Sequence, residues 1–311
     1  MKKYYFGSLV VVLVGFILAV VGAMNGGIKQ VGLMQNSLLS RAIIFSDDKQ
    51  VYTKNLASFK KIKVDTQTAD LVIKPGDNYH VKVTDTPNYA ITTKVDNNQL
   101  VIKEKQRANM MISWGPSHTK VEITVPNQKA LKELTGTAQT SKLTLTNLKM
   151  DKLDLQQDAG RITLQNVQFS HNFKLHADES RMNLHNSQLQ NVQVLADELN
   201  LTADNTMLSD SSMTSSDSNL KLTKSSLANS MVKASELNIT TKNCKLTGDN
   251  VWHADVGKLK LATMNSPLVY SVDQARINYF GQHKRSLKQS AHSVDKLQVK
   301  IEDPSTTVDI S

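Results

Sequence analysis

Residues 161–201, RITLQNVQFSHNFKLHADESRMNLHNSQLQNVQVLADELNL, alternate apolar and polar side chains through most of their length. Asn, Asp or Ser interrupts the alternation at short intervals, and the same order of apolar pair and turn then begins again. Successive side chains of a β-strand point to opposite faces, so two apolar residues separated by one polar residue share one face. The stretch therefore predicts short β-strands, separated by turns, that repeat along the chain.

Two sets of polar residues show that the repeat is about 20 residues long. The first set is acidic with one exception and consists of Asp158, Asp178, Asp197, Asp217, Ser235, Asp255, Asp273 and Asp295. The second set marks another turn of each repeat and consists of Asn147, Asn166, Asn186, Asn205, Lys224, Asn243 and Asn265. Asn, Asp and Ser suit turns because their short side chains hydrogen-bond to the nearby backbone. Two sets with one spacing indicate a repeat architecture.

A repeat of this length depends on its neighbours for stability. The next coil, about 4.8 Å away, covers the apolar pairs of the first and completes its backbone hydrogen bonds. A leucine-rich repeat is the alternative, since LTLTNL at 143–148 resembles the L-x-L-x-N motif. However, the other half of each repeat holds a second alternating pair, as in FKLHADES, and no helix pattern. We predict an all-β, parallel β-helix-like solenoid over residues 55–311, with the repeats clearest over 141–268.

The N-terminus contains an apolar segment, residues 4–24, that carries no charge. Its length suits a helix across a hydrocarbon core of about 30 Å. A cleaved signal peptide with a small-residue site at 21–23 is the alternative, but its apolar stretch usually spans only about 7–15 residues. We predict a transmembrane anchor over residues 1–24, with the N-terminus in the cytoplasm because Lys2 and Lys3 precede the apolar run. The rest of this single-pass protein of the cell membrane then lies on the extracellular side.

Residues 25–54 connect this anchor to the first predicted strands. Val31, Met34 and Leu38 have the spacing of one face of an amphipathic helix. We therefore interpret the segment as a juxtamembrane spacer that contains a candidate helix.

Residues 106–118, QRANMMISWGPSH, break the strand alternation with Met110, Met111 and Trp114. A solenoid has to cover the apolar end of its first coil, and an apolar loop does so by folding over it. We predict that this segment is such a cap. An exposed loop that contacts a partner or a membrane surface is the alternative.

The acidic set raises the question of a metal ion. Carboxylates stacked one coil apart repel each other unless solvent screens them or a hard cation such as Ca²⁺ bridges them. Ser235 replaces the carboxylate without changing the repeat, and the glycine-rich calcium nonapeptide is absent from the sequence. We interpret the acidic set as turn residues, and we predict no metal and no cofactor.

A polysaccharide-acting β-helix enzyme is the catalytic alternative to a binding protein. Such an enzyme needs grouped carboxylates on one exposed face, and that cluster would interrupt the repeat. Residues 143–265 are not interrupted and no G-x-S-x-G motif occurs, which favours a protein that is not an enzyme. Arg161 and Arg181 fall one coil apart beside acidic residues and predict an external ion-pair ladder. The histidines of this region lack the spacing of a metal site and are His171, His176 and His185.

The single cysteine, Cys244, excludes an intramolecular disulfide. Burial and backbone pairing must then stabilise a chain that lies outside the cytosol. Cys244 occupies an alternating segment, NCKLTG, which is typical of a small buried side chain and not of a nucleophile.

The formal net charge is +9, and much of it lies near the C-terminus, where residues 256–300 contain eight basic residues and two aspartates. The alternation loosens there into YFGQHKRSLKQSAHS, which predicts a protruding loop. On the cell exterior such a loop meets anionic cell-wall polymers or lipid headgroups, and each basic residue near an anionic surface contributes about 1 kcal/mol. We predict polyanion binding by Lys284, Arg285 and Lys288, with a solvated cationic loop as the alternative. Export excludes nucleic acid as the expected partner.

The ectodomain pattern resembles the DUF4097 "putative adhesin" family of Gram-positive bacteria. The resemblance is carried by SFKKIKVDTQTADLVIKPGDNYHVKV, YAITTKVDNNQLVIKEK and KVEITVP, which precede the repeats and follow one membrane segment. It covers roughly residues 55–300 and implies a cell-surface β-strand-repeat protein, related in form to LiaG-type envelope proteins, with no catalytic residues to carry over. An accessory component of an envelope-stress signalling system is a further alternative.

Overall fold

The computed structural model describes residues 30–33, 42–45, 50–86, 89–106, 110–112, 119–264, 269–272, 275–288 and 295–311. All regular elements in these ranges are β-strands. None of the described ranges holds a helix with the length and apolar character needed to span a bilayer. The predicted anchor, residues 1–24, lies outside these ranges and stays a prediction.

The strands of the N-terminal part are β1 Gln30–Leu33, β2 Ala42–Phe45, β3 Gln50–Asn55, β4 Lys61–Thr66, β5 Asp70–Pro75, β6 His80–Asp85, β7 Tyr89–Asp96, β8 Gln99–Gln106, β9 Met110–Ile112, β10 Lys120–Val125, β11 Glu133–Ala138 and β12 Lys142–Thr146. β1 pairs antiparallel with β2 and with β9 in a three-stranded sheet. The candidate helix is therefore wrong at Val31, which pairs with Ile44 and Ile112 as part of a strand. Met34 and Leu38 lie outside the described residues.

The central strands are β13 Lys149–Gln165, β14 Gln168–His185, β15 Gln188–Gln190, β16 Val192–Asp204, β17 Met207–Ser209, β18 Ser212–Thr223, β19 Ser226–Ala228, β20 Met231–Thr247 and β21 Asp249–Met264. Each pairs in parallel with the equivalent strand of the neighbouring coil, so that Leu164 lies beside Leu184 and Leu184 beside Ala203. This register confirms the predicted β-solenoid.

The central coils have three sides. β15, β17 and β19 stack on one side, and the two halves of β14, β16, β18 and β20 stack on the other two. Leu175, Met182 and Leu184 of one coil are each at most 3% exposed, as the alternation requires. A fully buried side chain of this size stabilises the fold by roughly 1.5–3 kcal/mol, so the stack of inward aliphatic residues holds the coils together.

The asparagine turn is confirmed residue by residue in the described coils. Asn147, Asn166, Asn186, Asn205, Lys224 and Asn243 all adopt left-handed conformations, with φ between 48° and 54°. The Asn166 amide donates to Asn147 Oδ1 at 2.8 Å, and the Asn205 amide donates to Asn186 Oδ1 at 2.7 Å. These hydrogen bonds run from each coil toward the preceding one. Asn265 lies outside the described residues.

A second left-handed turn in each coil was not anticipated. It contains Asn191, Asp210, Asn229 and Gly248, with φ between 50° and 67°. The Asn229 amide donates to Asp210 Oδ1 at 3.1 Å, which repeats the bonding of the first turn. Three residue types occupy this position, so a search of the sequence for one recurring residue type does not find the turn.

Lys224 occupies one position of the asparagine turn, where the other described coils have Asn. This exception allows the contribution of the asparagine side chain to be tested. Replacing Lys224 with Asn is expected to raise the free energy of unfolding by about 1 kcal/mol, because Asn tolerates the left-handed region and its amide can donate to Asn205 Oδ1. Urea unfolding of the full chain measures the change. Lys221→Asn, an exposed lysine of the same coil outside the turn, serves as the control and should give no gain. A Lys224→Asn chain no more stable than the control would contradict the role of the amide column.

The C-terminal strands are β22 Val269–Val272, β23 Arg276–Tyr279, β24 Gln282–Lys284, β25 Leu287–Lys288, β26 Lys296–Ile301 and β27 Thr307–Ile310. β26 lies between β21 and β22, with Val299 beside both Trp252 and Val272. β27 lies between β21 and β23 in the same way. Residues 296–310 thus form a coil inside the stack. At the end of the stack, β24 pairs antiparallel with β23, and β25 pairs antiparallel with β22.

The opposite end of the stack is also covered by antiparallel strands. β7 pairs with β8, and β3 pairs with β6. β3 begins at Gln50, so the solenoid sheet already includes residues that the sequence assigned to the spacer.

Candidate polyanion-binding groove

A groove of about 730 Å³ lies on the side of the stack that β21, β27 and β23 form near its C-terminal end. Its lining residues are Lys258, Leu259, Lys260, Arg276, Ile277, Asn278, His283, Lys284, Arg285, Thr307, Val308 and Asp309. Five of these side chains are basic and one is a carboxylate. Binding sites for small molecules commonly have volumes of about 300–1,000 Å³, so the groove is large enough to hold a ligand segment.

Strand register explains how these cations meet. Lys258 lies beside Thr307, and Thr307 lies beside Arg276, so two cations flank the inserted C-terminal strand. The antiparallel pairing of β23 and β24 places Lys284 opposite Ile277. Arg285 is the next residue in the chain after Lys284. The groove therefore depends on both the inserted coil and the hairpin.

The structure brings together two of the residues predicted to bind polyanions, since Lys284 and Arg285 line the groove. The backbone of Lys288 lies in β25 opposite Ser271, and its part in binding stays a prediction. Sequence reasoning counted Lys258 and Arg276 in the basic excess, but it gave no reason to place them beside Lys284.

Asn278 introduces a different kind of group into the groove. Its Nδ2 donates to Asp309 Oδ1 at 3.3 Å. Its Oδ1 is buried and has no hydrogen-bond partner within the described part of the chain. A buried acceptor without a donor costs free energy, about 1–3 kcal/mol.

The hairpin tip next to the groove presents an exposed aromatic side chain. Phe280 is 64% exposed and has a φ of 47°, followed by Gly281 at 82°. A left-handed conformation costs a residue with a side chain about 1–2 kcal/mol. The Phe280 N–H donates to the Ile310 carbonyl at 2.9 Å, which holds the tip against the inserted coil.

Two further ring contacts order this hairpin. The Tyr279 and Phe280 rings meet edge to face, with centroids 4.8 Å apart. Lys284 Nζ lies 5.1 Å from the centre of the Tyr279 ring, within the range of a cation–π interaction. The tip therefore combines aromatic surface with one of the groove cations.

A second cavity of about 830 Å³ shares Arg276 and Arg285 with the groove. Asp303 lines it, and the Ser305 backbone N–H, which donates to Asp303 Oδ1 at 2.7 Å, lowers the pKa of this carboxyl. Asp303 is thus charged at neutral pH. Its negative charge makes this cavity less suited to an anion than the groove.

Most of the acidic set lies at an exposed corner, but two members were assigned to the wrong column, and Asp273 lies outside the described residues. Asp295 precedes Lys296, which lies beside Asp249, so Asp295 belongs to the Gly248 turn, where the Gly248 N–H donates to its Oδ1 at 2.8 Å.

Asp217 lies beside Glu198 and Glu236, not beside Asp197. Two adjacent exposed positions form this corner in each coil, as at Asp178 and Glu179. The apparent irregularity of the spacing around Asp217 arises from this shift of one position.

Another cluster contains possible metal ligands. Ligand atoms of His253, Asp255 and Glu302 lie within 4.8 Å of one another, and His253 Nε2 is 3.3 Å from Glu302 Oε1. Lys233 and Lys300 lie beside His253 in the neighbouring coils. Two ammonium groups next to the cluster oppose binding of a cation, so we interpret it as a surface interaction between His253 and Glu302.

The predicted ion-pair ladder of Arg161 and Arg181 is wrong in the described chain. Neither guanidinium lies within 4.0 Å of a described carboxylate. The two residues stack directly on each other in register and are exposed, so solvent screens them without a fixed partner.

The remaining sequence candidates fall elsewhere. Met110 and Met111 lie in β9 beside β1, Trp114 lies outside the described residues, and the cap assignment stays a prediction. Cys244 is fully buried, and burial raises the pKa of its thiol. Its Sγ is 3.4 Å from the Lys242 carbonyl, the place that the Ser225 hydroxyl takes at Thr223 one coil earlier. Cys244 is therefore a protonated core residue.

Fold and groove together define a parallel β-solenoid that carries a basic surface near one end. The chain belongs to the Toastrack DUF4097 family, whose model matches residues 59–311. A search of curated proteins gives no match.

Several solved structures of bacterial proteins match most of this chain at low sequence identity. A "putative cell adhesion protein" from Clostridium sporogenes is 11% identical, with a TM-score of 0.31, and the match covers 85% of this chain and 99% of that one. A "putative adhesin" from Bacteroides fragilis is 13% identical, with a TM-score of 0.35 and coverage of 85% and 99%. A "putative lipid binding protein" from Parabacteroides distasonis is 12% identical, with a TM-score of 0.33 and coverage of 85% and 97%.

Proposed function

We propose that the protein is a non-catalytic binding protein of the bacterial envelope. In this proposal residues 1–24 anchor it in the cell membrane, and the solenoid on the extracellular side holds phosphate-rich polymers or headgroups of a Gram-positive envelope in the basic groove. The observation that carries the proposal is the convergence of five basic side chains, with one carboxylate, Asp309, among the described residues of the groove lining.

The charges favour an anionic ligand over other classes. Each basic group near an anionic surface contributes about 1 kcal/mol, and a concave site with several of them concentrates the field. A polysaccharide-acting enzyme commonly uses a pair of carboxylates, and the described residues of the groove lining provide one, Asp309. Binding is therefore the better account of the groove.

Changing Lys258, Lys284 and Arg285 together to Gln is expected to abolish most binding of the full chain to isolated cell walls. The solubilised chain in neutral detergent should sediment with walls at low salt and be released as salt rises, because the Debye length falls to about 8 Å at physiological ionic strength. The fraction of protein in the pellet measures retention.

The matched control changes Lys174, Lys221 and Lys233, three exposed lysines of the central coils, to Gln. It removes the same net charge but leaves the groove intact, so it should keep most of the retention. Equal retention by the two triple variants would refute binding through the groove. The single variant Lys288→Gln tests whether the third residue predicted to bind polyanions contributes to retention on cell walls.

A further inference from the structure

A second group of cations lies on the same side of the stack as the groove. Lys142, Arg161 and Arg181 occupy equivalent outward positions of three successive coils, with Lys142 beside Arg161 and Arg161 beside Arg181. All three side chains are exposed, and none of them forms an ion pair with a carboxylate in the described part of the chain. We call these three residues the arginine site.

The arginine site stacks like charges on each other. Neighbouring coils are only about 4.8 Å apart, and like charges at paired positions of a sheet repel each other, so a bound anion relieves this repulsion. A cavity of about 340 Å³ opens here, and Glu179 and Glu198 line it together with the three cations. The excess of positive charge is therefore small, and the site holds an anion weakly unless that anion is already bound nearby.

Strand register places the arginine site and the groove in one column of outward side chains. The column continues from Arg181 to Lys258 and then to Arg276, and both of these residues line the groove. Four steps from coil to coil separate Arg181 from Lys258, which corresponds to about 19 Å. The positions between them are uncharged and are Asn200, Asn219 and Asn238.

We propose that one anionic polymer chain binds the groove and the arginine site together, with its middle part along the asparagine column. This inference rests on the proposed function and specifies the ligand as a chain molecule longer than about 19 Å. The groove holds one part of the chain and keeps the rest close to the arginine site, so the second contact forms at a high effective concentration. A short anion gains only the groove contacts.

The charges beside the column favour a chain over a membrane surface. An exposed acidic row runs along one edge of the column, because each of its members lies two positions before a column residue; the row consists of Glu179, Glu198, Asp217 and Glu236. A flat anionic bilayer that reaches the column also comes against this row, which repels it. A single chain contacts the column without covering the acidic row.

The first experiment measures the binding of two inorganic polyphosphates to the full chain in neutral detergent. Tripolyphosphate is too short to reach from the groove to the arginine site, whereas a long-chain polyphosphate reaches both. Changing Arg161 and Arg181 together to Gln is expected to weaken binding of the long chain about fivefold and to leave the affinity for tripolyphosphate within about twofold, because only the second contact is lost. Isothermal titration calorimetry gives both affinities.

The matched control changes Lys174 and Lys233 together to Gln. These lysines are exposed and lie on another side of the coils, so their loss removes the same charge without altering the column. The control should bind both probes as the parent does. A loss of long-chain binding as large as that of the arginine variant would assign the effect to net charge and contradict the inference.

The second experiment uses Asn219→Glu to test the path of the chain. Asn219 is exposed in the middle of the column, so a carboxylate there should weaken binding of the long-chain polyphosphate about threefold and leave tripolyphosphate binding unchanged. Asn172→Glu, at an exposed position on another side, is the control and should bind both probes as the parent does. Unchanged long-chain binding by the Asn219→Glu variant would show that the chain does not follow the column.

The outcomes separate this inference from the proposed function. If Lys258, Lys284 and Arg285 are needed for both probes but Arg161 and Arg181 for neither, the inference is wrong and polyanion binding by the groove stands. If the three groove cations can be changed without loss for either probe, the proposed function fails first. Mixed micelles of phosphatidylglycerol in the same detergent serve as the membrane probe. Micelles that displace the long-chain polyphosphate at an equal phosphate concentration, and that the arginine substitutions weaken equally, would overturn the choice of a polymer.

Discussion

Deleting residues 295–311 is expected to disrupt the C-terminal coils instead of merely shortening a tail, and to lower the melting temperature by roughly 10 °C. The deleted residues form the coil that β21 contacts on one face and β22 and β23 contact on the other. Their inward side chains are at most 6% exposed and are Leu297, Val299, Ile301, Val308 and Ile310. Thermal unfolding and limited proteolysis of the full chain and the truncated chain measure the effect.

Point variants keep this prediction testable where the truncated chain fails to accumulate. Leu297→Asp buries a charge between two coils and is expected to cost about 4 kcal/mol in free energy of unfolding. Gln298→Asp makes a charged residue at the next, exposed position and should stay within about 0.5 kcal/mol of the parent. Equal stability of these two variants would mean that β26 does not lie inside the stack.

Gly136→Ala is expected to be comparably severe, with a loss of about 4 kcal/mol. Gly136 lies in β11 between Val64 and Leu155 of the adjacent strands. An added Cβ would lie 2.0 Å from the Val64 carbonyl oxygen, and the φ of 123° disfavours any side chain. The backbone would have to move away from β4 to accommodate the methyl group. Urea unfolding of the full chain measures the loss.

Gly281→Ala is the matched control for this clash. Gly281 also has a positive φ, 82°, but an added Cβ would meet nothing within 4 Å. Its substitution should therefore cost only about 1 kcal/mol, the cost of the backbone conformation. A Gly136→Ala chain that unfolds like the Gly281→Ala chain would show that the strands tolerate the extra methyl group.

The regular part of the fold was predictable because one physical rule governs each position. Alternation defines the inward face, and a left-handed turn favours Asn strongly enough for the column from Asn147 to Asn243 to be seen in the sequence. The second turn accepts Asn, Asp and Gly alike, so no single residue type recurs at its position and the sequence does not reveal it. Asp217 was placed in the wrong column because both corner positions are exposed and accept acidic residues.

The C-terminal insertion could not be predicted from the same pattern. The segment LQVKI in β26 alternates apolar and polar residues as the strands of the other coils do. This alternation does not specify which two strands will flank β26. The groove was predicted only in part for this reason. Lys284 and Arg285 are close in sequence, whereas Lys258 joins them through a strand that arrives about 50 residues later. Asn278 gave no sequence signal, since its hydrogen-bond partner, Asp309, lies in that later strand.

The inserted coil also fixes when the groove can come into existence. A chain emerges from the ribosome with its N-terminal residues first, so the central coils can stack before residues 295–311 have been made. Thr307, Val308 and Asp309 line the groove, and they follow every central coil in the sequence. The groove is therefore completed only after these residues are in place, and a product terminated before residue 295 displays the central coils without it.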